Sequence, residues 1–308
     1  MNFEAAAKLP KSIRFGTSTW TYPGWKGQIY HNEYKSEKEF NSRSLAEYVK
    51  FPWFRTVGID STFYNPPSEK TLTSYADMVG DDFLWVSKVW ERITIPRYPS
   101  HPRYGKVAGS ENPDFLSPQV FVDRVLAPYR AVTDRTGPFV FQFPTIAKGI
   151  LTADAFFSRL ETFLTRLPSE FRYAFEIRNP EYLVSDYFGI LNRSGATHCF
   201  NHWDRMPGLK AQMKAAADAG GLQSDFYVAR ILTPKGVSYE SAVELFSPYN
   251  ELKRPNPEMR EDVVRLVKRS LETNRSAFII VNNRAEGNAP LTIDAIGSMA
   301  VEMLENGI

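Results

Sequence analysis

The sequence predicts an α/β protein that folds as one (β/α)8 barrel of the TIM type. Eight short segments are rich in β-branched and aromatic residues, and stretches with helical periodicity separate them. A length of 308 residues accommodates eight such repeats. An open doubly wound sheet would carry a Gly-rich phosphate loop after its first strand, whereas residues 16–20 read GTSTW. A closed barrel is therefore the favoured interpretation.

The predicted strands and helices alternate along the whole chain. The strands cover residues 13–20, 56–63, 82–89, 138–144, 173–179, 197–203, 225–232 and 277–283. Gly80 is expected to end the helix that begins at Ser68. The expected helix N-caps are Ser44 (a capping box with Glu47), Ser68, Ser117 before Pro118, Thr152 and Thr292. We predict a single domain over residues 1–308, with residues 1–12 as an N-terminal extension.

Composition limits the classes of partner. The formal net charge is +2, from 37 basic and 35 acidic residues, so nucleic acid is not indicated as a partner. No run approaches the roughly 20 apolar residues of a membrane helix, and no signal peptide is evident. We therefore expect a cytoplasmic protein without a membrane partner. Cys199 is the single cysteine, so it forms no intrachain disulfide, and we expect it to be buried.

Strand alternation predicts a polar cluster at the barrel mouth. Alternate side chains of a barrel strand face the interior, and the helix-facing set must be apolar. In the fifth strand the apolar set is Tyr173, Phe175 and Ile177, which directs Glu176 and Arg178 inward. In the second strand the outward set is Val57, Ile59 and Phe63, and the inward set is Gly58, Asp60 and Thr62. The same alternation directs further polar residues inward: Ser18, Lys88, Gln142 and Arg230.

Two strands and two loops complete the expected mouth. The sixth strand has an ambiguous phase, with His198, Phe200, His202 and Asp204 on one face and Cys199, Asn201 and Trp203 on the other. The eighth strand ends in a polar pair, Asn282 and Asn283. The connections 90–112 and 233–257 are long, and long loops in compact domains are often binding loops.

The residue types in this cluster suit acid–base chemistry on a small polar or anionic, sugar-like or phosphate-like, substrate. Glu176 and Asp60 are the acid/base candidates, and Lys88 completes the candidate catalytic set. The candidate substrate-binding residues are Ser18, Trp20, Tyr22, Tyr64, Gln142, Arg178, Arg230, Asn282 and Asn283. A small-molecule ligand is expected, while the cofactor and the oligomeric state are unassigned. We also expect Glu176→Gln to leave folding largely intact.

Other functions stay open at this level. The charged groups could form a structural ion-pair network, and the protein could be a non-enzymatic ligand-binding or interaction module. A metal-dependent hydrolase or isomerase could use Asp60, Glu176, His202 and Asp204, although no zinc-type motif is present and no metal ligand is assigned. A glycosidase would need two carboxylates at a defined separation. A nucleic-acid-processing barrel is a further alternative.

An ordered set of motifs resembles the YecE-like family, also called domain of unknown function 72. The matching segments are residues 16–25 (GTSTWTYPGW), 58–67 (GIDSTFYNPP), 86–88 (VSK), 141–144 (FQFP), 174–180 (AFEIRNP), 282–283 (NN) and 287–289 (GNA). The resemblance spans nearly the whole chain and implies a barrel fold, but it supplies no reaction. Two positions depart from the family pattern. Asp60 stands where glutamate is usual, and Arg230 is not followed by the family's x-His-Gly.

Overall fold

Eight parallel strands make up the sheet of the computed structural model, which describes residues 1–307. They are Ile13–Thr17 (β1), Gly58–Ile59 (β2), Trp85–Lys88 (β3), Thr136–Gln142 (β4), Tyr173–Glu176 (β5), Thr197–His202 (β6), Phe226–Ile231 (β7) and Ser276–Val281 (β8). Their order is β1-β8-β7-β6-β5-β4-β3-β2, and every pair is parallel. All eight predicted strands are present, and the (β/α)8 barrel is confirmed.

The first and last strands of this order, β1 and β2, nearly close the barrel. The backbone N–H groups of Arg55 and Thr56 donate to the Phe15 carbonyl at 2.9 and 3.3 Å. Gly16 permits this approach, because a Cβ atom there would lie 1.9 Å from the Thr56 carbonyl oxygen. A residue with any side chain at position 16 would therefore separate the two strands.

Helices follow the strands and form the outer layer. The α-helices are Phe3–Lys8 (α1), Glu37–Arg43 (α2), Leu45–Tyr48 (α3), Glu69–Ala76 (α4), Glu91–Thr94 (α5), Pro118–Val120 (α6), Ala153–Leu164 (α7), Ser185–Arg193 (α8), Leu209–Asp218 (α9), Tyr239–Phe246 (α10), Pro257–Glu272 (α11) and Ala289–Glu305 (α12). In the predicted N-terminal extension, α1 packs on α12, and Asn2 N–H donates to Asp294 at 2.6 Å. The assignment of the whole chain to one domain stays a prediction. No helix within residues 1–307 combines the length and the apolar character needed to span a membrane.

Three of the predicted helix caps are confirmed. The side chains of Ser68, Ser117 and Thr152 accept hydrogen bonds from the first turns of α4, α6 and α7.

The other helix-end predictions are wrong. Ser44 makes no side-chain cap, because the carboxylate of Glu47 instead accepts bonds from the loop at residues 31–34. Asn288 caps α12, and Thr292 lies one turn inside that helix. Helix α4 ends at Ala76, before Gly80.

The core has two layers. The larger layer joins the outer faces of the strands to the helices. The smaller one fills the barrel interior with Val86, Val140, Ala174, Cys199, Phe226, Val228, Phe278 and Ile280. This inner set confirms the predicted phase of β3, β4, β5 and β7, because Lys88, Gln142, Glu176 and Arg230 each lie two residues beyond one of its members. It also confirms that Cys199 is buried, and it determines which face of β6 is directed inward. Cys199 faces inward with Asn201, so His198 and His202 face the helices.

The predicted phase of the second strand is wrong beyond Ile59. The strand ends there, and Asp60–Phe63 forms a 3-10 turn, which has no two-residue alternation. The hydroxyl of Thr62 lies within hydrogen-bond distance of the Ile59 carbonyl, at 2.6 Å, and of the Lys88 carbonyl, at 2.5 Å, and its single hydrogen is shared between them. Phe63 lies against the Lys88 ammonium instead of the helix layer. The turn brings Asp60 and Phe63 together at the mouth.

Candidate active site at the barrel mouth

Glu176 is the most buried charge of the mouth and lies at the end of β5, with no exposed side-chain surface. Its Oε1 accepts hydrogen bonds from Arg178 Nε at 3.2 Å and Nη2 at 2.9 Å, and its Oε2 accepts one from Arg230. Burial alone would raise the pKa of this carboxyl, but the two guanidinium groups outweigh burial and hold the pKa at about 2. Glu176 is therefore an anion that fixes two arginines.

Arg230 connects three elements across the mouth. Besides Glu176, its guanidinium donates to Gln142 Oε1 at 2.9 Å and to both carboxylate oxygens of Asp60 at 3.2 Å each. Burial disfavours the charged guanidinium, but Glu176 and Asp60 reverse that effect and raise its pKa. Asp60 keeps 33% of its side chain exposed, against 4% for Arg230. Asp60 is thus the carboxylate of this network that a ligand can reach.

Lys88, at the end of β3, differs from Arg178 and Arg230 in its contacts. Its ammonium lies 3.8 Å from the centroid of the Phe63 ring. Within residues 1–307 no carboxylate oxygen lies within 4.0 Å of it, since both mouth carboxylates pair with arginine. Burial lowers the pKa of Lys88 to about 8, against the opposing effect of Asp60. The amine therefore stays mostly protonated at pH 7, but its neutral form is far more populated than in an ordinary lysine.

Two residues that the sequence analysis did not assign complete the inner surface of β6. The Trp203 ring lies 4.2 Å from the guanidinium carbon of Arg178, which it orients together with Glu176. Asn201 is fully buried, and within residues 1–307 no donor bonds its Oδ1. Both share the inward face with Cys199, so the alternation of β6 contains the signal once its phase is known.

Comparison with known proteins agrees with this architecture. A family model described as "Protein of unknown function DUF72" matches residues 14–305. The chain belongs to the DUF72 family. The resemblance predicted from the sequence motifs is confirmed, since the YecE-like family is this family.

Solved structures of DUF72 proteins share the fold. A DUF72 family protein from Enterococcus faecalis V583 is 13% identical over 96% of this chain and 95% of its own, with a TM-score of 0.61. One from Thermotoga maritima MSB8 is 16% identical over 95% of this chain and 99% of its own, with a TM-score of 0.57. No curated protein matches the chain. The comparisons thus establish family and fold.

The aromatic residues predicted to bind substrate have different surroundings in this DUF72 chain. Trp20 is buried against Tyr75 of α4, with 4.9 Å between ring centroids. Tyr22 packs on Tyr249, and its hydroxyl donates to a loop carbonyl. Tyr64 is 56% exposed and lies beside Arg103 of the loop after β3. Of the three, Tyr64 offers the freest ring to a ligand.

The predicted serine and asparagines lie at the ends of β1 and β8. Ser18 is buried, and within the described part of the chain its hydroxyl has no hydrogen-bond partner. Asn282 Oδ1 accepts a bond from Arg284 N–H at 3.0 Å, and Asn283 Oδ1 accepts one from Ala289 N–H at 2.9 Å. The asparagines thus hold the loop between β8 and α12, while Ser18 keeps a polar atom free.

A metal-dependent hydrolase or isomerase would require several metal-ligating side chains close together. Among residues 1–307 no three His, Cys, Asp or Glu side chains are close enough to hold a metal ion. His202, which that alternative invoked, faces the helix layer and bonds through Nδ1 to the Thr233 carbonyl at 3.0 Å. The arrangement instead offers an unpaired amine beside a partly exposed carboxylate.

Proposed function

We propose that this chain is an enzyme that acts on a small anionic substrate at the barrel mouth, with the Lys88 amine as proton acceptor. The observation that carries the proposal is the difference between Lys88 and its neighbours. Arg178 and Arg230 are bound to carboxylates, whereas the half-buried Lys88 lies beside Phe63 without an ion-pair partner within residues 1–307. An uncompensated cation in a mostly desolvated position favours binding of an anion.

The charge count of the mouth supports an anionic ligand. Lys88, Arg178 and Arg230 give three positive charges, and Asp60 and Glu176 give two negative charges, so one positive charge is in excess. Because each carboxylate is bonded to arginine, the excess lies near Lys88. A carboxylate or a phosphate group on the substrate would neutralise it.

The properties of Lys88 suit proton transfer. With a pKa of about 8, about a tenth of the amine is neutral at pH 7, and a base works best when its pKa is near the operating pH. We assign Asp60 to a hydrogen bond with a substrate hydroxyl, because it is the partly exposed carboxylate. Glu176 becomes a positioning residue, since it stays ionised and both its oxygens are occupied. The reaction class that fits is proton abstraction, as in isomerases and lyases.

A direct test begins with ligand binding. Small carboxylates and phosphates are screened by thermal shift against the wild type, Lys88→Met and the control Lys148→Met, whose lysine is exposed in the loop after β4. A ligand at about 100 times its dissociation constant stabilises by about 2.7 kcal/mol. We expect a hit with the wild type and the control and none with Lys88→Met.

The chemical step is tested on any hit in D2O. Proton abstraction by Lys88 exchanges a C–H proton of the ligand for deuterium, which NMR detects, and the rate should rise as the pH passes about 8. Equal binding by Lys88→Met contradicts the site. Lysine-dependent binding without exchange contradicts proton abstraction and favours the second candidate, a ligand-binding module, which the extensive pairing of Arg230 and Glu176 would also suit.

A further inference from the structure

A cavity lies outside the barrel mouth, on the helix side of β6 and β7. It has a volume of about 270 Å³, and its walls include His202, Gly208, Lys235, Arg254 and Asp262. It is bounded by the N-termini of α9 and α11, whose backbone N–H groups favour negative charge. The volume is below the roughly 300–1,000 Å³ of sites for drug-sized ligands, which favours a small ion.

His202 directs an unpaired acceptor toward this cavity. Its side chain is 95% buried, and its Nδ1 lies 3.0 Å from the Thr233 carbonyl oxygen. Because a carbonyl can only accept, Nδ1 carries the hydrogen and Nε2 of the neutral ring has the lone pair. Within residues 1–307 no group bonds Nε2, and this atom is not among the buried unpartnered ones, so it reaches the cavity surface.

The ring stays neutral near physiological pH. Burial lowers the pKa of His202 and Lys235 lowers it further, against the raising effects of the Thr233 carbonyl, Asp262 and Glu258. These groups come from the loop after β7 and from α11. A neutral imidazole with Nδ1 protonated accepts a hydrogen bond at Nε2, so the cavity favours a ligand that carries a donor.

Two cationic side chains lie at the edge of the cavity. Lys235 and Arg254 are exposed, and neither side chain has an ion-pair partner within residues 1–307. The wall carboxylate of Asp262 is already engaged by Arg265 Nη1 at 2.9 Å and by Lys210 N–H at 2.9 Å. The wall groups without a partner within residues 1–307 are thus two cationic donors, the neutral acceptor of His202 and the exposed carboxylate of Glu258, so the cations outnumber the free anion.

Gly208 leaves room for a ligand among these groups. A Cβ atom there would lie 3.2 Å from Asp262 Oδ2 and 3.9 Å from Lys235 Nζ. The backbone φ of −57° at this position suits any residue, so the conformation does not require glycine. The missing side chain therefore matters for space.

We infer that this cavity binds a protonated tetrahedral oxyanion, either inorganic phosphate that carries at least one hydroxyl or a singly protonated phosphate monoester. The hydroxyl of the ligand donates to His202 Nε2, and its charged oxygens face Lys235 and Arg254. Sulfate has the same shape but carries no hydroxyl near neutral pH, so it leaves Nε2 without a donor. The site is distinct from the mouth, because His202 and the inward-facing Asn201 are on opposite faces of β6.

The test compares inorganic phosphate with sulfate by calorimetry at about pH 6.5, where phosphate and much of a phosphate monoester carry a hydroxyl. We expect the wild type to bind phosphate about tenfold or more tighter, the equivalent of one hydrogen bond to a charged ligand. His202→Asn, which removes Nε2, should lower phosphate binding to the level of sulfate. Gly208→Ala should abolish both, and Lys235→Met, a change of an exposed side chain, should weaken both.

Two further measurements distinguish free phosphate from a phosphate monoester, and this cavity from the barrel mouth. Tighter binding of methyl phosphate than of inorganic phosphate assigns a monoester, and the reverse assigns the free ion. Lys88→Met should keep the phosphate response. Equal affinity for sulfate and phosphate, or binding that Lys88→Met removes and Gly208→Ala keeps, overturns the inference. The second of these results would leave the proposed function of the mouth in place.

Discussion

The two sides of the barrel mouth hold their charges in opposite ways. On the side of β5 and β7, Glu176 and Arg230 are 0% and 4% exposed, and Glu176 is bonded at both oxygens. On the side of β2 and β3, Lys88 contacts an aromatic ring, and Asp60 is one-third exposed. The first side is a paired network that extends to Asp60 through Arg230, and the second side adds an unpaired amine and leaves Asp60 partly exposed. The same mouth thus holds a fully paired buried carboxylate on one side and an amine without an ion-pair partner within residues 1–307 on the other.

The largest expected effect is on the side of β5 and β7. Glu176→Gln leaves two buried guanidinium groups facing a neutral amide, and breaking a buried pair costs about 3–5 kcal/mol. We therefore expect a large loss of unfolding free energy in urea, contrary to what the sequence alone led us to expect. Glu170→Gln, at an exposed carboxylate just before β5, should change stability by less than about 0.5 kcal/mol. Equal stabilities of the two variants would show that the network is not a scaffold.

The second largest expected effect is a gain in stability, and it concerns Lys88 on the side of β2 and β3. Lys88→Met keeps the length of the side chain and removes a desolvated charge. The pKa of Lys88 falls from 10.5 to about 8 on folding, which corresponds to about 3 kcal/mol of native-state cost below pH 8. We expect the variant to be more stable than the wild type at pH 7 while it loses ligand binding.

The pH dependence of stability in the wild type and in Lys88→Met gives a second test of this prediction. Between pH 8 and 10.5 the unfolded chain retains the Lys88 proton that the native state has lost, so wild-type stability should rise with pH in this window. Lys88→Met lacks that contribution, and its advantage should shrink. Urea unfolding at a series of pH values measures the difference. A constant difference across the window would mean that Lys88 keeps an ordinary pKa.

The smallest effect concerns Trp203, which follows β6 on the side of β5 and β7. Trp203→Leu removes the ring that lies 4.2 Å from the Arg178 guanidinium carbon, a contact worth about 1–2 kcal/mol when it is desolvated. Trp203→Phe keeps a ring face and should recover most of the loss. Identical stabilities for the Leu and Phe variants would show that packing volume, and not the ring face, orients Arg178.

The sequence by itself determined the barrel and most of the inward-facing polar set. Apolar alternation in β3, β4, β5 and β7 suffices to direct Lys88, Gln142, Glu176 and Arg230 inward, because each strand must bury its other face under helices. The family motifs pointed to the same fold, and the family match confirmed it. These properties are local, since they follow from a period of two along one strand.

Only the tertiary structure decided which charges pair. Arg230 and Glu176 are 54 residues apart, and their contact depends on how the strands are staggered around the barrel. The structure also revealed that the chain leaves β2 at Ile59, which brings Phe63 under Lys88. The state of a buried charge depends on its partners and its desolvation, and both arise from residues distant in the chain. This is why two charges with the same inward phase have different surroundings: Glu176 pairs with two arginines, and Lys88 lies beside an aromatic ring.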